Sequence, residues 1–184
     1  IGSNYVGIDD PQMLGHALQL AALLLLLRER PMASALLFAV SLFVKHNLLA
    51  VPLASVVWLL LLDRRAGLEF LLWGTAFALA GLVAFQLGFG TSLLGQLASP
   101  RLSSFANVTT AAGHLWWMIL PGIAIAGLWP DRNALLCTLY AAAALVLGLI
   151  FAAGDGVDAN TFFDLAIALS LGLAGTLVSS WPSL

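Results

Sequence analysis

Residues 31–65 read PMASALLFAVSLFVKHNLLAVPLASVVWLLLLDRR. As one helix, 31–62 would be roughly 48 Å long at 1.5 Å per residue, against a hydrocarbon core of about 30 Å. It would also carry Lys45 near its middle, where a charge is costly unless water or a partner reaches it. The run therefore divides at Lys45-His46-Asn47 into two arms, 32–44 and 48–62, and returns the chain to the side it left. Each arm is only about 20 Å long, short for a full crossing. The apex accordingly sits either in a wet cavity below the membrane surface or at the turn of a fully re-entrant hairpin.

The rest of the chain has the same character. Of 184 residues, 61% are hydrophobic and 9% charged, where a soluble domain has about 25% charged. This excludes a soluble globular domain, a disordered tail and a coiled coil. The net charge of -2 leaves no basic patch for nucleic acid. The single cysteine, Cys137, excludes a disulfide framework or a cysteine-based zinc site and reads as a packed thiol. Further apolar runs cover 13–27, 67–89, 114–129, 134–153 and 162–181, with Pro121 expected to kink the third of these. Arg28-Glu29-Arg30, Asp63-Arg64-Arg65 and Pro130-Asp131-Arg132-Asn133 separate them, as do a polar stretch over 90–113 and a loop over 154–161. The six tryptophans fall mostly near span ends, as interface anchors do. The fold class is all-α: one polytopic transmembrane helix bundle with a short broken helical hairpin. The chain opens on a polar loop rather than a signal peptide, and is expected to be an internal piece of a longer protein.

The positive-inside rule orients this bundle. Arg28, Arg30, Arg64, Arg65 and Arg132 fall on one side, taken as cytoplasmic, and Lys45 and Arg101 on the other. The polar chemistry then collects on the outer side. It comprises Asp9 and Asp10 in the first loop, His16 one turn into the first helix, and Lys45, His46 and Asn47 at the apex. Arg101, His114, Asp158, Asn160 and Asp164 complete it. Plainer roles exist for several of these. Asp9 or Asp10 ahead of Pro11 suits a helix start, and Asp158 and Asn160 suit the start of the last helix. His16, which shares a face with Gln12, suits a packed side chain, and Lys45 could snorkel. Arg101 is either a loop charge or a phosphate partner. Asp164 lies inside an apolar segment, where an ionisable group faces a cavity or a partner. Glu69 reads as a solvated flank.

Three stretches in this order resemble the GT-C superfamily of multi-pass glycosyltransferases, related to the protein mannosyltransferases. They are Asp9-Asp10-Pro11-Gln12 entering a Leu-rich helix, Phe43-Val44-Lys45-His46-Asn47-Leu48 with its apolar helix and basic stop, and Gly156-Val157-Asp158-Ala159-Asn160-Thr161-Phe162-Phe163-Asp164. Val44 stands where the family usually has a small polar residue. The resemblance implies transfer of a sugar from a polyprenyl-phosphate carrier to a glycan, lipid or protein acceptor. The reaction would take place on the outer face of a membrane such as the bacterial inner membrane. The family's usual catalytic carboxylate would lie upstream of residue 1, leaving Asp9 or Asp10 as the local base. Lys45, His46 and Arg101 would meet the phosphate, and Asn47 would bind substrate beside them. Asp158, Asn160 and Asp164 would hold sugar hydroxyls. Some members bind a divalent metal, for which Asp10 and His16 are the candidates. Two other classes fit a multi-pass chain: a transporter or flippase, and a non-catalytic membrane scaffold subunit.

Overall fold

A computed structural model describes residues 11–90, 95, 103–113, 115, 118–126, 132–154 and 159–180. These residues form eight α-helices and no strand: α1 (Gln12–Leu27), α2 (Pro31–Val44), α3 (Ala50–Leu62), α4 (Arg64–Phe89), α5 (Phe105–Gly113), α6 (Ile119–Ala126), α7 (Arg132–Ala152) and α8 (Phe163–Ser180). A 3-10 turn, Ala159–Phe162, leads into α8. Among the described residues, three stretches are long and apolar enough to cross a membrane: Arg64–Phe89, Arg132–Ala152 and Asn160–Val178. The chain is an all-α membrane helix bundle.

Lys45 ends α2 as the charge predicts, with an extended backbone at φ -152° and ψ 110°. The direction of each helix follows from its side-chain contacts. Phe38 meets Phe70 edge-on and Phe43 stacks on Phe85, so α2 and α4 run the same way. Asp63 alone joins α3 to α4, and Gly67 lies against Leu60, so α3 runs back. The hairpin is therefore present, but its arms are splayed. Each packs on α4, and they touch each other little. In α3, Trp58 Nε1 donates to the Arg132 carbonyl at 2.8 Å where α7 begins. Helices α7 and α8 pack as an antiparallel pair, with Gly148 against Phe162. Arg28, Arg30, Arg64, Arg65 and Arg132 thus share one end of the bundle, and the Lys45 apex lies at the other.

Several elements differ from the sequence expectation. Helix α4 starts at Arg64 rather than 67 because Asp63 caps it: its Oδ1 accepts from Arg65 N at 2.9 Å and Ala66 N at 3.3 Å. The polar stretch 90–113 contains α5, started by Ser104, whose Oγ accepts from Ala106 N at 3.2 Å. Ser104 N in turn donates to the Ala153 carbonyl at 2.8 Å, which fastens α5 to the end of α7. The helix expected over 114–129 starts later, since Leu115 is not helical and α6 begins at Ile119. Pro121 falls in the first turn of α6, where its missing N–H has no helical partner to lose, so it kinks nothing. Trp58 is no interface anchor; it is fully buried, with the Arg132 guanidinium 5.0 Å above its ring. Trp73 is 41% exposed and stacks on Phe77. Cys137 packs half-buried against the core, as expected.

The α7–α8 approach depends on Gly148, where an added Cβ would meet Phe162 ring carbons at 2.9 Å and the Thr161 carbonyl at 3.2 Å. Gly148→Val should destabilise the protein by about 1–3 kcal/mol. Gly74→Ala, with nothing within 4 Å of its Cβ, should be neutral or stabilising by up to about 1 kcal/mol. Thermal unfolding of both variants in detergent checks the contrast.

Candidate functional site

Four elements meet around the hairpin apex: the first turn of α1, the end of α2, the middle of α7, and the 3-10 turn with the start of α8. On α1, Gln12 and His16 are four residues apart and project from one face; both are buried. Lys45, part-buried, reaches that face from the end of α2, and its Nζ donates to Gln12 Oε1 at 2.7 Å. The other end of the same amide, Nε2, donates to the Asn160 carbonyl at 2.7 Å and lies 3.2 Å from His16 Nε2. An amide nitrogen only donates, so His16 Nε2 accepts and the imidazole proton resides on Nδ1. Nδ1 faces Asp164 Oδ1 at 3.7 Å. The same Oδ1 accepts from the Tyr140 hydroxyl at 2.6 Å, deep in the α7–α8 interface.

Two hydrogen-bonded runs, Tyr140–Asp164 and His16–Gln12–Lys45, thus meet at the 3.7 Å contact between Asp164 and His16 and extend from the interior of the α7–α8 pair to the apex. Asp164 is 7% exposed, and the tyrosine hydroxyl is what makes a carboxylate tolerable there. Beside this chain lies a cavity of about 10 Å³, about the room of one water. Gln12, Asn47, Thr161 and Asp164 supply its polar lining. Asn47 Oδ1 is buried without a hydrogen-bond partner among the described residues. On the far side of the apex, a groove of about 220 Å³ opens between α2 and α4. Leu42, Phe43, Leu82 and Phe85 line it, and the exposed His46 stands at its mouth.

Of the residues singled out from the sequence, the fold brings Lys45, His16, Asp164 and Asn160 into one network, with Asn47 beside it. Asn160 enters through its backbone carbonyl. Asp164 points inward to Tyr140, not to the surface. His46 stands apart, on the groove. Asp9, Asp10, Arg101, His114 and Asp158 lie outside the described residues. His16 Nε2 faces the Gln12 amide, and among the described residues no three His, Cys, Asp or Glu side chains converge; Asp10, the other metal candidate, lies outside them.

Sequence reasoning missed two participants. Gln12 was visible only as a face-mate of His16, and its reach to Lys45 spans 33 positions. Tyr140 gave a fainter signal, one hydroxyl inside a long apolar run. Compared with protein-family models, curated proteins and solved structures, the chain matches none.

The Tyr140–Asp164 bond should be energetically coupled. In a double-mutant cycle of Tyr140→Phe and Asp164→Asn, unfolding free energies in detergent should give a coupling of about 0.5–1.5 kcal/mol. Strict additivity would mean that the hydroxyl and carboxyl act independently.

Proposed function

We propose that the protein is a membrane glycosyltransferase that moves a sugar from a polyprenyl-phosphate donor to a glycan, lipid or protein acceptor on the extracytoplasmic face. The observation that carries this reading is the Lys45–Gln12–Asn160 connection. Three stretches with the family's pattern, far apart in sequence, are hydrogen-bonded together at the end of the bundle opposite the arginines.

The chemistry asked of such a site is compact. The bond from the sugar's anomeric carbon to the donor phosphate breaks, and a bond from that carbon to the acceptor oxygen forms. The phosphate leaves with its negative charge, which nearby cations stabilise more as it develops than before. Lys45 supplies a point charge with three donors at the apex, and His46 and Arg101 are its candidate companions. The acceptor hydroxyl gives its proton to a carboxylate, for which Asp9 or Asp10, just ahead of Gln12, is the candidate. The α2–α4 groove, apolar along its length and bordered by His46 at one end, suits a prenyl chain whose phosphate must end near Lys45. The five arginines at the far end fit a cytoplasmic placement under the positive-inside rule, which leaves the apex outside, as in a bacterial inner membrane.

Lys45→Ala and Asp10→Ala should each lower sugar transfer by at least about 100-fold, with membrane insertion intact. Lys45→Arg should keep part of the activity. The measurement is incorporation of labelled sugar from a prenyl-phosphate donor by membranes containing the protein. Near-normal turnover in both alanine variants would overturn the proposal, and so would substrate uptake into liposomes without any transfer.

A further inference from the structure

We infer that Gln12 is a positioning residue that sets where the Lys45 ammonium stands, and that the Asn160 carbonyl and His16 Nε2 hold Gln12 in the orientation this needs. The inference rests on the proposed role of Lys45 as the phosphate-facing cation.

An amide side chain has two distinguishable ends. To accept from Lys45, Gln12 must point its oxygen at the α2 terminus and its nitrogen the other way. Both partners of that nitrogen are acceptors: the Asn160 carbonyl at 2.7 Å and His16 Nε2 at 3.2 Å. Rotating the amide by half a turn would set its nitrogen against the Lys45 ammonium, donor against donor, and its oxygen against the Asn160 carbonyl, acceptor against acceptor. The environment therefore selects one orientation. His16 contributes only as the tautomer with its proton on Nδ1, the side facing the carboxylate of Asp164. Asp164 is in turn held by the 2.6 Å bond from Tyr140. The hydrogen bonds that fix the amide are those to Lys45, the Asn160 carbonyl and His16 Nε2; Asp164 acts on the imidazole only as a charge 3.7 Å from Nδ1. Gln12 also binds the turn that opens α8 and so ties the apex to it.

Burial supports the same direction of control. Gln12 and His16 are 3% and 4% exposed, whereas Lys45 is only part-buried. The amide is the fixed partner, and the flexible lysine stem adapts to it. A lysine held by a neutral oxygen keeps its full charge for an anionic ligand, which a carboxylate at the same place would cancel.

Lys45 is the only lysine in the sequence, so its reaction with a water-soluble amine reagent can be followed at fixed pH by mass spectrometry of its peptide. In Gln12→Leu, modification of Lys45 should be about tenfold faster than in the wild type, as expected when a hydrogen bond to a charged group is lost. Gln12→Glu retains an oxygen for the lysine and should restore slow modification. In transfer assays Gln12→Leu should lower kcat by about 10- to 100-fold with little change in the KM for the prenyl-phosphate donor. Gln12→Glu should remain impaired because it neutralises the cation. Unchanged Lys45 reactivity in Gln12→Leu would overturn the inference, and so would a change in reactivity that Gln12→Glu fails to reverse. If reactivity shifts as expected but the wild-type protein transfers no sugar, the positioning role stands and the proposed activity fails.

Discussion

The 2.7 Å contact between the Lys45 ammonium and Gln12 Oε1 is the interaction around which this bundle is organised. A lysine in the middle of a 32-residue apolar run cannot face hydrocarbon, so the helix breaks there and the chain turns back. Turning back is not sufficient, because the charge is still part-buried against α1. It needs an acceptor at the same depth. Gln12 provides one because α1 and α2 are antiparallel, which brings the start of one helix beside the end of the other.

The same logic explains why the polar residues form a chain rather than scattered pairs. In a bundle with so few charges, a buried polar group is costly without a partner, and the partners within reach are other polar groups of the same few helices. Gln12 resolves Lys45, His16 and the Asn160 carbonyl constrain Gln12, and Tyr140 resolves Asp164. Gln19 extends this along α1, its Nε2 donating to the Leu48 carbonyl at 2.5 Å just past the apex. The groove lies along α2 and α4, and the small cavity lies among α1, α7 and the start of α8.

Much of this was legible in the residues themselves. Lys45 marked the hairpin, Asp164 marked a buried carboxylate needing a partner, and the spacing of Gln12 and His16 marked a shared face. The segment containing α5 was not legible as a helix: nine residues with two threonines carry weak propensity, and the Ser104 cap with its tie to Ala153 completes the case. Trp58 looked like an interface anchor because tryptophan near a span end is ambiguous. Its neighbour Arg132, 74 positions away, resolves it as core. The start of α4 was misplaced because charged residues read as a boundary, whereas Asp63 uses its charge to begin the helix.

Sequence alone determined the membrane class, the break at Lys45 and the separation of Lys45 from the five arginines, because these follow from the cost of burying charge and from lengths along a single chain. Tertiary structure decided which polar residues are partners. A hydrogen bond between Lys45 and Gln12, or between Tyr140 and Asp164, depends on how helices distant in sequence are rotated against one another. That rotation is set by packing at residues such as Gly148 and Phe43, which carry no polar signal of their own.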